Sequence, residues 1–176
     1  AGVHFGHHTR KWNPKMGKVI YGARNWIYII DLNKSAEKVI EAYNALKAIV
    51  AADGKVLFVG VKPQVKEIIE EQASTSGSFY ITNRWLGGTL TNFKTIQTRI
   101  RRLKELEAIE EGTTTEKLTK KEIALLKKER EKLSKNLEGI KEMRRLPEAV
   151  IVVDPTLEHN AVAEARKLNI PVFGIC

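Results

Sequence analysis

The sequence predicts an α/β protein: a parallel β-sheet with crossover helices, into which a pair of long helices is inserted. Three observations predict it. Residues 26–30, 56–60 and 149–153 are short, nearly all apolar and rich in β-favouring side chains, as strands buried on both faces are. Between such runs lie segments whose apolar residues recur every three or four positions, the alternation that builds strand–helix–strand units. Residues 105–145 mix ten acids with eleven bases around a narrow apolar seam, which suits solvated helices laced with pairs one turn apart.

Taken in order, residues 1–18 read as irregular, because three glycines and a proline oppose a helix. Strands are expected at Val19-Ile20-Tyr21 and residues 26–30, separated by Gly22-Ala23-Arg24-Asn25. Asp31-Leu32-Asn33 supplies a helix start; Ala36, Val39, Ile40, Tyr43, Leu46 and Val50 form one stripe, and Asp53-Gly54 stops it. After the strand at 56–60, Pro63 suits the first turn of a helix lined by Val65, Ile68, Ile69 and Ala73. A polar loop, Ser74 to Ser78, leads into a strand at Phe79-Tyr80-Ile81-Thr82.

A long helix is expected from Phe93, with Ile96, Ile100, Leu103 and Leu106 on one side, broken at residues 110–115. A second starts at a capping box, Thr119 with Glu122. Its seam is Ile123, Leu126, Leu133, Leu137 and Ile140, interrupted by Arg130 and Arg144. Run from Thr119 to Met143, it spans about 37 Å. The expected layout is therefore a sheet domain at 1–92, a projecting antiparallel helical hairpin at 93–146, and the rest of the sheet at 147–176. That last part holds a strand ending at Asp154-Pro155, a helix over 157–168 with Leu157, Val162, Ala165 and Leu168 inward, and a strand at 171–175.

Charge points to the partner. The net charge is +9, but residues 1–25 and 72–104 hold eleven bases and no acid, while the other 118 residues hold 19 bases and 21 acids. Two acid-free stretches in an otherwise balanced chain fit a polyanion. The first interleaves Arg10, Lys11, Lys15, Lys18 and Arg24 with Phe5 and Trp12, a mixture suited to RNA, where cations meet phosphates and flat groups stack on open bases. The second contains Asn83-Arg84-Trp85-Leu86-Gly87-Gly88-Thr89-Leu90-Thr91-Asn92, lying between a strand and a helix. Gly87-Gly88 frees the backbone, and Thr91 or Asn92 can cap the helix. Strand, glycine loop and helix start can together offer backbone N–H groups to an anion. Trp85 either stacks on a base or packs under the loop.

Other chemistries find little support. His4, His7 and His8 offer at most three nitrogens with no neighbouring Cys or acid, and His159 lies far away, so no metal site is expected. A lone Cys176 excludes an internal disulfide framework and fits a reducing compartment. No apolar run approaches about 18 residues, and nothing reads as a signal peptide, so no membrane is expected. The loop after residue 60 reads Val61-Lys62-Pro63 where a dinucleotide site wants G-x-G-x-x-G, and neither G-x-x-x-x-G-K-[ST] nor G-x-S-x-G occurs. Asp154 ends a strand, a position that serves function in open α/β sheets, but Asp154-Pro155 is equally a turn-and-cap device. A nucleotide-binding α/β domain or enzyme stays as the alternative, resting on fold analogy alone.

The motifs together resemble a known family. Gly2-Val3-His4-Phe5-Gly6-His7, Thr9-Arg10-Lys11-Trp12-Asn13-Pro14-Lys15-Met16, Asn83-Arg84-Trp85-Leu86-Gly87-Gly88 and Leu90-Thr91-Asn92 are similar to the signature segments of the bacterial small-subunit ribosomal protein S2 family. Lys117-Leu118-Thr119-Lys120-Lys121-Glu122, Gly139-Ile140-Lys141-Glu142-Met143, Asp154-Pro155 with Glu158-His159, and Ile170-Pro171-Val172 extend the likeness over the whole chain. The resemblance implies a flavodoxin-like sheet with an inserted coiled-coil hairpin, no enzymatic activity and no cofactor. It implies a cytoplasmic protein on the solvent side of the small ribosomal subunit, between head and body, and not a homo-oligomer. The implied partners are small-subunit ribosomal RNA and neighbouring ribosomal proteins, including the mRNA-capturing protein S1. The RNA-binding residues would be Arg10, Lys11, Trp12, Asn13, Lys15, Lys18, Arg24, Arg84, Trp85, Asn92, Lys94, Arg99, Arg101 and Arg102. Two departures stand out. The family usually continues with a further aspartate-rich loop and a helix on the sheet, which implies a truncated chain. Arg144-Arg145 stands where small residues are frequent.

Overall fold

The computed structural model describes residues 2–111 and 119–176, so the expected break at 110–115 and the motif beginning at Lys117 fall largely outside the described residues. The chain divides into two compact units, Ala1–Ala48 and Ile49–Cys176.

The first unit corrects the sequence reading most. Its opening segment is not irregular: β1 (Phe5–His8) pairs antiparallel with β3 (Ile27–Ile30), which also pairs antiparallel with β2 (Ile20–Arg24), giving the order β1-β3-β2. The stretch around residues 26–30, expected as a strand buried in the parallel sheet, instead forms the middle of this small sheet, and none of its β3 residues is fully buried. Arg24 pairs with Ile27, leaving Asn25-Trp26 as a two-residue turn with φ of 51° and 62°. Two left-handed residues match the twist of a hairpin, and Asn tolerates that conformation well. Trp26 was expected in the strand on propensity; the turn takes it instead. Short 3-10 turns at Thr9–Lys11 and Pro14–Met16 link β1 to β2. Asp31 accepts from the Asn33 amide, and α1 (Leu32–Ala51) follows, ending before Asp53 at φ 58°.

The second unit holds the parallel sheet, in the order β5-β4-β6-β7, from β4 (Val56–Val59), β5 (Phe79–Ile81), β6 (Ala149–Val153) and β7 (Val172–Ile175). Central strands β4 and β6 carry Leu57, Val59, Val150 and Val152, all fully buried. Each such side chain contributes roughly 1.5–3 kcal/mol on leaving water. The flanking helices are α2 (Pro63–Thr75), α3 (Phe93–Glu111), α4 (Lys120–Leu137) and α5 (His159–Lys167). Ile69 and Ala73 of α2 and Ala161 and Ala165 of α5 are buried. Leu157, expected inward, precedes α5 and is exposed.

Helices α3 and α4 lie side by side. Glu110 late in α3 meets Lys127 and Arg130, and Arg102 further back meets Glu129. The capping box forms: the Thr119 amide donates to Glu122 Oε2 and the Glu122 amide to Thr119 Oγ1. Helix α4 stops at Leu137 rather than reaching Met143, and a 3-10 turn, Glu138–Ile140, takes over. Gly139 lies in that turn and permits its close approach to β5, since a Cβ there would collide with the Tyr80 carbonyl oxygen. The backbone turns to lie against β5, and Leu137, Ile140 and Met143 all enter the core.

Candidate nucleic-acid interface

The loop after β5 is built around one carboxylate. Trp85 Nε1 donates to Glu164 Oε1 at 3.0 Å, and the Gly88 amide donates to the same oxygen at 2.7 Å. The Leu90 and Thr91 amides donate to Oε2 at 3.0 and 3.1 Å, and the Thr91 hydroxyl at 3.1 Å. Gly88 sits at φ 87°, a conformation few other residues adopt, and turns the loop back on the carboxylate. The Thr89 amide and hydroxyl close the turn on the Leu86 carbonyl. The Asn92 amide donates to the Gly88 carbonyl at 2.8 Å, and the Asn92 carbonyl accepts the first helical bonds of α3.

The backbone N–H groups expected to meet an external anion thus already hold an internal one. Burial alone pushes the Glu164 carboxyl up, but the donors from Trp85, Thr91, Gly88 and Leu90 outweigh it and hold it below the ordinary carboxylate value. The structure also decides between the two readings of Trp85. Its ring is 8% exposed and belongs to the core with Leu90, Ile96 and Ile100, so it packs under the loop and has no free face for a base.

Glu164 is the residue that sequence reasoning missed. A signal was present: Ala161, Glu164, Ala165 and Leu168 share one helical stripe, so a carboxylate lies among the inward positions of α5.

The remaining loop and helix residues stay open. Arg84 and Asn92, at the two ends of the clamped segment, are exposed. Lys94 and Arg101, two turns apart on α3, are exposed, as is Arg99. Arg102 differs: it forks onto Glu129 at 3.1 and 3.2 Å and approaches Glu105 at 3.6 Å, so its charge is committed within the protein.

In the first unit, Arg10 and Lys11 occupy one 3-10 turn and Lys15 the next, where Asn13 Oδ1 accepts from the Lys15 amide at 3.0 Å. Lys18 and Arg24 are exposed, and Trp12 is 58% exposed. Trp26, absent from the expected set, is 78% exposed and lines a shallow cleft with His8, Thr9 and Arg10. Among the described residues, no carboxylate lies within 4.0 Å of the cationic groups of Arg10, Lys11, Lys15, Lys18, Arg24, Arg84, Lys94, Arg99 or Arg101.

At the point where strand order reverses, between β4 and β6, Lys62 pairs with Asp154 at 2.6 Å. The Lys62 ammonium and the Thr156 hydroxyl hold the Asp154 carboxyl down to about 2, and Asp154 adopts φ 59° as a turn residue that also accepts from the Thr156 amide. Among the described residues no helix is long and apolar enough to cross a membrane, and no three His, Cys, Asp or Glu side chains gather as metal ligands. A family model described as Ribosomal protein S2 matches residues 1–176.

Proposed function

The chain belongs to the ribosomal protein S2 family, structural components of the small ribosomal subunit, and from that premise we propose that it anchors itself to small-subunit ribosomal RNA through two basic surfaces. One is the opening segment, with Arg10, Lys11, Asn13, Lys15, Lys18 and Arg24 on phosphates and Trp12 and Trp26 stacking on unpaired bases. The other is formed by Arg84, Asn92, Lys94, Arg99 and Arg101. The observation that carries the reading is that the bases of these surfaces are exposed and have no carboxylate partner among the described residues. Elsewhere in the chain Lys and Arg are repeatedly paired, as with Lys104–Glu142 at 2.6 Å and Lys141–Glu107 at 2.6 Å.

In this reading the protein acts by position and charge within cytoplasmic ribosomes, without catalysis or cofactor, as one copy per particle. Helices α3 and α4 act as an antiparallel coiled-coil hairpin and offer a docking face to neighbouring ribosomal proteins, including S1. Leu125, 60% exposed on α4, is the apolar side chain best placed for that face. Excising residues 105–145 would be a poor test, because Leu106, Leu137, Ile140 and Met143 are buried. Leu125→Glu keeps them and should lower retention of the neighbouring protein on the subunit.

Co-sedimentation with small-subunit RNA over a salt series tests the main proposal. Affinity should fall with salt at a slope of roughly 0.7–0.9 per phosphate neutralised. A salt-insensitive association would contradict it.

A further inference from the structure

We infer that Glu164 is a positioning residue for RNA binding: its carboxylate clamps residues 85–91 so that Arg84 and Asn92, at the two ends of the clamp, are presented to the RNA by their side chains, while the loop amides take no part. The inference rests on the RNA-binding reading above and adds how this loop would carry it out.

The geometry is that of a closed cradle. Both Glu164 oxygens are in use, Oε1 by Trp85 and Gly88, Oε2 by Leu90 and Thr91. These donors lie 73 to 79 residues from Glu164 in sequence, so α5 imposes the loop's shape from across the fold. A loop with two adjacent glycines loses more conformational freedom than most on being ordered, and a buried amide without an acceptor is costly. One ionised carboxylate meets both demands at once. Ordering the loop before RNA arrives removes that entropy loss from the binding step. Arg84 immediately precedes the clamp and Asn92 immediately follows it. Asn92 is further held by its amide on the Gly88 carbonyl and by the Thr95 hydroxyl on its Oδ1 at 2.9 Å.

The sign of the effect separates this from simpler accounts. Removing a negative charge from a protein that binds a polyanion should strengthen binding by bulk electrostatics. Freeing three amides should strengthen it further if they were the phosphate cradle. Positioning demands the reverse.

The test uses the full chain, deproteinised small-subunit RNA as probe, fixed salt, and hydrogen exchange of the free protein. Glu164→Gln keeps the volume but replaces one accepting oxygen with an NH2 that turns a donor toward donors. The expected result is exchange at the Gly88, Leu90 and Thr91 amides at least about tenfold faster, with RNA affinity lower by roughly tenfold, the size of one lost charge-assisted contact. Arg84→Ala should lower affinity similarly with those amides still protected. Unchanged exchange in Glu164→Gln overturns the clamp. Faster exchange with equal or tighter RNA binding overturns the positioning role and returns the amides to candidacy as an anion site. If Arg84→Ala binds as the native chain does, the RNA reading of this loop fails, and the inference with it; if Arg84→Ala weakens binding while Glu164→Gln does not, the inference alone fails. Should Glu164→Gln not fold, Trp85→Phe removes one donor and keeps most of the ring. It should give a smaller loss in the same direction, and native affinity with faster exchange in that variant overturns the proposal.

Discussion

The opening segment and the loop after β5 share a composition and differ in construction. Each is basic, aromatic and free of acid. In the loop, Trp85 is buried and the backbone wraps a carboxylate carried in from α5. In the opening segment Trp12 and Trp26 lie in the open, held by a three-stranded antiparallel sheet with no fully buried residue in β3. Identical-looking tryptophans thus end up in opposite surroundings, one packed into the core and two left exposed. Neighbouring sequence does not separate them; what packs on them does.

That contrast can be broken at several points. The largest effect should come from Trp85→Ala, which empties a core site and removes a donor from Glu164. Unfolding in urea should show a loss of about 3–5 kcal/mol. Trp12→Ala and Trp26→Ala should stay within about 0.5 kcal/mol of the native chain. Equal losses in all three would erase the distinction.

Acid should sharpen it next. Asp154 has its carboxyl held near 2, below the ordinary value of 3.8. Its contribution to stability is therefore complete above about pH 4 and disappears as the pH falls toward 2. The linkage amounts to about 2 kcal/mol, measurable as the difference in unfolding free energy between pH 5 and pH 2 that Asp154→Asn abolishes. Residues 1–30 contain no carboxylate, so the opening sheet gains no such dependence from its own side chains.

Binding should show the converse ranking. Trp12→Ala and Trp26→Ala are expected to weaken association with small-subunit RNA by roughly 1–3 kcal/mol in a filter-binding titration, the worth of a stacked base. The smallest change should follow single charge removals in the opening segment. Arg10→Gln or Lys15→Gln should each lower the salt slope by about 0.7–0.9 with little effect on the melting temperature.

Much of the second unit was legible in the chain. Pro63 at the start of α2, the capping box of Thr119 and Glu122, and the turn at Asp154 all act locally, and each forms as its sequence implies. The apolar runs at β4 and β6 found the centre of the parallel sheet for the same reason: burial on both faces leaves no polar alternation. The end of α4 was not legible. Its heptad pattern continues to Ile140, but the chain gives way after Leu137 to a 3-10 turn whose Gly139 lies against Tyr80, almost sixty residues earlier. The β3 region was misjudged because an apolar β-favouring run reads alike in either kind of sheet. The choice lay with the Asn25-Trp26 turn and the pairing with Phe5–His8.

By itself, then, the sequence determined what depends on neighbours a few residues apart: helix starts and stops, strand cores, and the placing of eleven bases in two acid-free stretches. Tertiary structure alone decided which of those features stay exposed and which face inward. A buried ring or an occupied amide is defined by a group brought from elsewhere in the chain, and Glu164 reaches the loop only once α5 has docked on the sheet.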